Sequence, residues 1–197
     1  MSNQHFKKKS WEFHVTAKRI ISFLSNHHLT YDDSDREYRL IFDHMIQKQT
    51  NHLLNEIKNS RNLEDKIIGC SAIILSGLCY KIEKNYLDIG LGFLKKITNS
   101  SIDNKGFTNS RNIKQLIFFL KYFILIREWF KEAQVEVPEH VEENIYYFGQ
   151  GYAFIKQNID VDLLFNGNNK SNTYDFDNYL KRLGYKFKNE NKDYGGY

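Results

Sequence analysis

Three features of the sequence predict a mainly α-helical chain. It holds a single proline, Pro138, its glycines are sparse before residue 149, and apolar side chains recur at helical spacing over long stretches. Proline removes a backbone donor and glycine adds backbone entropy to the unfolded chain. Their scarcity favours long uninterrupted helices over a turn-rich β-protein.

Six helical segments follow in order. The first runs from about Trp11 to Ser25, with Val15, Ile20, Phe23 and Leu24 on one side. The second begins at Ser34, which with Glu37 three positions on has the pattern of a capping box. Its Tyr38, Phe42, Met45, Leu53 and Ile57 keep helical spacing, with Gln49 filling the gap. The third spans about Leu63 to Tyr80 and is apolar on most sides from Ile67 to Leu78. The fourth covers about Asn85 to Ile97 and carries Leu87, Leu91, Leu94 and Ile97. The fifth runs from near Ser110 to about Ala133, and Ile113, Leu116, Leu120, Phe123, Ile124 and Phe130 give it a wide apolar face. The sixth starts near Pro138, a first-turn proline followed by Glu139, Glu142 and Glu143, the charge that a helix N-terminus favours. Short connections between successive helices mean antiparallel hairpins. Three hairpins in a row make a curved layer, not a closed bundle.

After Phe165 the texture changes. "NGNNKSNTYDFDNYLKRLGYKFKNENKDYGGY" is polar, rich in Asn and Gly, and without a helical pattern. Within it "YLKRLGYKF" reads as a helical turn followed by a strand. The closing "YGGY" resembles the middle of a hairpin, so the chain reads as a fragment. The domain reading is a basic lead over 1–10, a helical domain over 11–165, and a linker with the start of a second domain over 166–197.

With 41% hydrophobic and 26% charged residues the chain fits an ordinary globular composition. Its net charge of +4 is partly local to Lys7, Lys8 and Lys9. No basic stripe follows a helix and no nucleic-acid motif is present, so nucleic acid is not an expected partner. A mild positive field does suit an anionic polysaccharide. Aromatic residues at 15% are abundant enough to fill a large helical core, and a few can serve as platforms for sugar rings. Cys70 and Cys79 lie nine apart in an apolar helical segment, a spacing unlike that of metal ligands, and read as buried free thiols. The seven histidines form no metal-ligand cluster, and neither metal nor cofactor is expected. The Lys7–Lys9 run leads into "SWEFHVTAKRI", not into an apolar signal core, which leaves the compartment undecided. "QLIFFLKYFILI" is too short to span a bilayer and carries Lys121, so it reads as a buried helix.

Several stretches taken together resemble the heparinase II/III superfamily. The opening "WEFHVTAKRIISFLSNHHL" is similar to a helix of a bacterial branch of that family. "GFTNSRNIKQLIFFLKYFILIREWFKEAQVEVPEHV" resembles its central segment, where a Gly-rich turn leads into a Ser–Arg–Asn/Ser–Pro motif, a leucine-rich helix and a "GVEVPE" loop. "DLLFNGNN" resembles the passage between the family's helical domain and its β-sandwich. The matches keep the family's order from about Trp11 to Tyr197. The resemblance implies an incomplete (α/α) toroid of helix hairpins followed by the first strands of a β-sandwich. It implies a polysaccharide lyase acting on uronic-acid polymers, in the periplasm or cell envelope.

Such an elimination removes the sugar C5 proton next to a carboxylate. Asn, Arg, His or a metal neutralises the carboxylate, and a Tyr or His acts as base. The family's residues for this step are only partly matched. No histidine stands at Phe107 or Thr108, Ile113 replaces the motif's proline, and Lys114 and Gln115 occupy the region of the catalytic tyrosine. Asn62 lies near the family's Asn–His pair, in "NSRNLEDK", which has no histidine. A non-catalytic polysaccharide-binding protein, or a helical scaffold that binds protein, is therefore an open alternative.

The substrate-binding candidates are Arg111, Asn109, Ser110, Arg61, Asn62, Trp11 and His14. Arg111 can clamp a carboxylate or sulfate, or brace its own loop. Asn109 and Ser110 can bond sugar hydroxyls, and one of them is expected to cap the fifth helix. Arg61 and Asn62 open the third helix, on the rim of the implied toroid, where capping and a solvated charge also account for them. Trp11 can stack on a sugar ring or pack in the core, and His14 lies one turn from Lys18. No catalytic residue is assigned.

Overall fold

The computed structural model describes residues 11–80, 85–103, 106–158 and 173–189. The Lys7–Lys9 run, "DLLFNGNN" and "YGGY" lie outside them. The chain is mainly helical, with α1 (Phe13–Ser25), α2 (Arg36–Glu56), α3 (Leu63–Cys79), α4 (Tyr86–Ser101), α5 (Ile113–Glu132), α6 (Glu139–Asn158) and α7 (Tyr174–Arg182). A 3-10 turn, His27–Leu29, follows α1. Among the described residues no strand forms; Ile102 and Thr108 make an isolated antiparallel bridge.

Two compact units divide the chain: Met1–Ile97 with Trp129–Val135, and Thr98–Glu128 with Glu136–Tyr197. In the first unit α1 packs on α3 and α2, and α2 on α3. α1 turns Ala17, Ile20 and Leu24 inward, and α3 is buried continuously from Ile67 to Ser76. Ile67, Ile73 and Ile74 are fully buried, and each contributes roughly 1.5–3 kcal/mol of transfer free energy. Three hydroxyls of this core, on Thr50, Ser71 and Ser76, are hydrogen-bonded, whereas Thr16 Oγ1 and Gln49 Oε1 are buried with no protein partner among the described residues. The Ser71 hydroxyl donates to the Ile67 carbonyl at 2.8 Å, and the Thr50 and Ser76 hydroxyls meet at 2.9 Å between α2 and α3.

In the second unit Phe119 and Phe123 of α5 meet Phe148 of α6 edge-on, at centroid separations of 6.1 and 5.3 Å. Such pairs add about 0.5–1.5 kcal/mol beyond burial. Phe107, only 1% exposed, comes in from the α4–α5 loop against Phe154. That approach depends on Gly106, whose φ of +83° and position 2.6 Å from Tyr147 Cβ (measured from an ideal Cβ) exclude a side chain. α6 begins as expected, just after Pro138, with Glu139 and Glu142 in its first turn.

Several local expectations are corrected. Asp35, not Ser34, caps α2, its carboxylate accepting from the Tyr38 amide at 2.8 Å. Ser34 instead donates to the Tyr31 carbonyl. The polar stretch after Phe165 contains α7, where Phe176 and Leu180, one turn apart, are buried. The strand read into "YLKRLGYKF" is absent, since its first half belongs to α7 and residues 185–189 are irregular. Cys70 is buried but Cys79, the last residue of α3, is exposed.

Candidate functional site

The residues of "FTNSRN" fold on themselves. Arg111 adopts a left-handed conformation, φ +54°, which for a residue with a side chain is uncommon. Its guanidinium is held 2.7 Å from the Asp103 carboxylate and lies over the Phe107 ring at 5.7 Å. Asp103 also accepts from the Phe107 amide at 3.0 Å, so one carboxylate ties both arms of the loop. Asn109 is attached to the end of α4, its amide donating to the Ser101 carbonyl at 2.8 Å and its side chain to Ser100 at 3.1 Å. The cap of α5 is Asn112, whose Oδ1 accepts from the amides of Lys114 and Gln115 at 2.9 and 3.4 Å. The Ser110 hydroxyl donates to the Gln115 side chain at 2.7 Å and accepts from the Asn112 amide. Capping therefore falls on a residue two or three positions later than Asn109 and Ser110, and the Arg111 charge already has a counter-ion.

The remaining predicted residues belong to the first unit. Asn62 caps α3, accepting from the Glu64 amide at 2.8 Å and the Asp65 amide at 3.4 Å. Arg61 beside it is exposed. Trp11 is neither core nor bare: 36% exposed, it meets the His52 ring at 5.3 Å with the Lys48 ammonium 5.8 Å from its own ring. His14 is half-buried on α1. Tyr146 and Tyr147 on α6 are 49% and 43% exposed.

A cleft of about 360 Å³ in the second unit was not foreseen. α6, α7 and the segment after α7 form it, and Tyr152, Lys156, Lys181, Tyr185, Lys186 and Phe187 line it. Tyr152 and Lys156, one turn apart on α6, both hold Asp177 in the first turn of α7. The phenol donates at 2.8 Å and the ammonium lies at 2.7 Å. Phe187 is seated on α6 at Gly149, where a Cβ would come within 2.0 Å of the ring. Tyr185 donates to Glu128 at 2.8 Å and accepts from Arg127 at 3.0 Å, while Arg127 grips both oxygens of Glu142 at 2.7 and 2.9 Å. The cleft thus presents three ammonium groups against one carboxylate, among aromatic rings whose positions are fixed.

The phenols here are poor bases. Burial first, then hydrogen bonds to Asp177 and Glu128, push the Tyr152 and Tyr185 hydroxyls far above the usual phenol range. Burial also raises Tyr122 and Tyr179. Among the described residues no group of three or more His, Cys, Asp or Glu could hold a metal ion, and no helix is long and apolar enough to cross a membrane. Comparisons with protein-family models, with curated proteins and with solved structures find no match for this chain.

Proposed function

We propose that the chain binds an acidic, uronic-acid type polysaccharide through the lysine-and-tyrosine cleft, on a heparinase II/III-like helical toroid, and that it does so without β-elimination. The observation that carries this reading is the surplus of Lys156, Lys181 and Lys186 over Asp177 in a cleft walled by aromatic rings. Ammonium groups meet carboxylates or sulfates, and the half-buried rings of Tyr185 and Phe187 offer apolar faces to sugar rings. The ordered motifs of the sequence support the family part of the proposal.

The residue chemistry favours binding over catalysis. A phenol that takes the C5 proton needs a pKa moved toward neutrality, and four phenols of this unit move the other way. Arg111, the candidate in the family-like motif for clamping the substrate carboxylate, is paired with Asp103.

Calorimetric titration with alginate and heparan oligosaccharides, alongside neutral dextran, tests the proposal. Binding to the acidic polymers should weaken with salt. The double variant Lys181→Gln/Lys186→Gln should lose about tenfold in affinity, from two exposed charge contacts of about 0.5–1 kcal/mol each. Equal binding of dextran would sink the proposal, and release of unsaturated uronate would overturn its non-catalytic part.

A further inference from the structure

We propose that the first unit holds a second, independent site, selective for a small organic cation such as an arylalkylamine, in the cleft around Asp43. Two adjoining cavities of about 260 and 240 Å³ share Leu24, His27 and Cys79. The first is walled by Tyr31, Phe42 and Tyr80 with Asp43 among them, and the second by Trp129 and Glu132. An apolar protein cavity of about 150 Å³ accommodates benzene, so either space takes one ring with a short chain.

The charge pattern selects the ligand. Asp43 accepts from the Tyr31 hydroxyl at 3.1 Å on one oxygen and from Tyr80 at 2.8 Å on the other. A carboxylate has roughly four acceptor positions, so two phenols leave capacity for a further donor. Burial and the Asp43 contact raise both phenols, which therefore remain donors and stay uncharged. Neither lysine nor arginine lines either cavity, while both carry a carboxylate. Among nearby basic side chains, the His27 ring lies 3.8 Å from Asp32, and the Arg39 guanidinium sits over the Tyr31 ring at 5.4 Å while donating to the Asp32 carbonyl. A carboxylate among aromatic rings is the combination that recognises an ammonium group.

Cys79 reports on occupancy. Its thiol lines both cavities, whereas Cys70 is fully buried. The test uses the intact chain and three probes of matched shape: tyramine, 2-(4-hydroxyphenyl)ethanol and 3-(4-hydroxyphenyl)propionate. Tyramine should bind saturably by calorimetry and slow N-ethylmaleimide labelling of Cys79. The alcohol should bind at least about tenfold more weakly, and the acid weaker still. Asp43→Asn should lose about tenfold in tyramine affinity; the labelling experiment, done on the unaltered chain, stands whether or not that variant folds. Equal binding of the three probes, or labelling that tyramine does not slow, overturns the proposal.

Discussion

Replacing Gly149 with alanine separates the lysine cleft from the helix that carries it. The added methyl would lie 2.0 Å from Cδ1 and 2.2 Å from Cε1 of Phe187, where ordinary carbon contacts are about 3.5–4.0 Å. The ring must withdraw by about 1.5–2 Å to restore that spacing. α6 itself gains about 1 kcal/mol, because alanine replaces glycine in a helix interior. Overpacking of this kind costs about 1–3 kcal/mol, so the net loss of stability is about 0–2 kcal/mol. The chain stays folded while Tyr185 and Lys186, the neighbours of the displaced ring, lose their places in the cleft. Affinity for an acidic oligosaccharide should then fall by about tenfold or more. Urea unfolding and calorimetric titration on one preparation give both quantities. A variant that binds like the parent chain refutes the role of this seat. A stability loss above about 4 kcal/mol would instead make Phe187 a core residue of the unit.

Two further predictions concern the α4–α5 loop and the phenols. Asn112→Ala should destabilise by about 1 kcal/mol through loss of the α5 cap, and Ser110→Ala by less; chemical denaturation that reverses this order would contradict the capping assignment. The native chain holds phenolic protons on Tyr80, Tyr152 and Tyr185 that the unfolded chain releases near pH 10. Their stabilisation is complete below that pH and is lost as pH rises toward the folded values. The urea midpoint should fall above about pH 10 together with a cooperative rise in tyrosinate absorbance. Independent titration of every phenol near its ordinary value, with no loss of stability, would count against it.

Much of the fold can be read from local pattern, because local physics decides it. α3 is apolar almost throughout, and the Pro138–Glu139–Glu142 entry to α6 follows from the helix dipole. Ser34 and Asp35 are both good caps, and only the backbone path distinguishes them. α7 is legible only at its end, as the helical turn of "YLKRLGYKF", for a different reason: nine mostly polar or aromatic residues carry a short apolar stripe, Phe176 and Leu180, that stabilises a helix only once docked. The lysine cleft depends on Phe187 reaching Gly149 and on Lys156 reaching Asp177, contacts distant in sequence that no periodicity encodes. Arg111 was legible as a charged residue in a family-like motif. Its pairing with Asp103 across a turn was not.

The Asp103 knot also bears on the order in which the second unit assembles. Its closing contacts, to Phe107 and Arg111, span only a few residues, so the entropy lost in closing that loop is small. The corner between α4 and α5 can therefore form early, fastened before distant partners arrive. Residues 173–189 join α6 through longer-range contacts and are expected to dock late. Pulse-labelling hydrogen exchange would resolve the two stages. The arginine that drew attention as a ligand for substrate becomes, in this order of events, a clasp that sets the direction of the chain before the cleft exists.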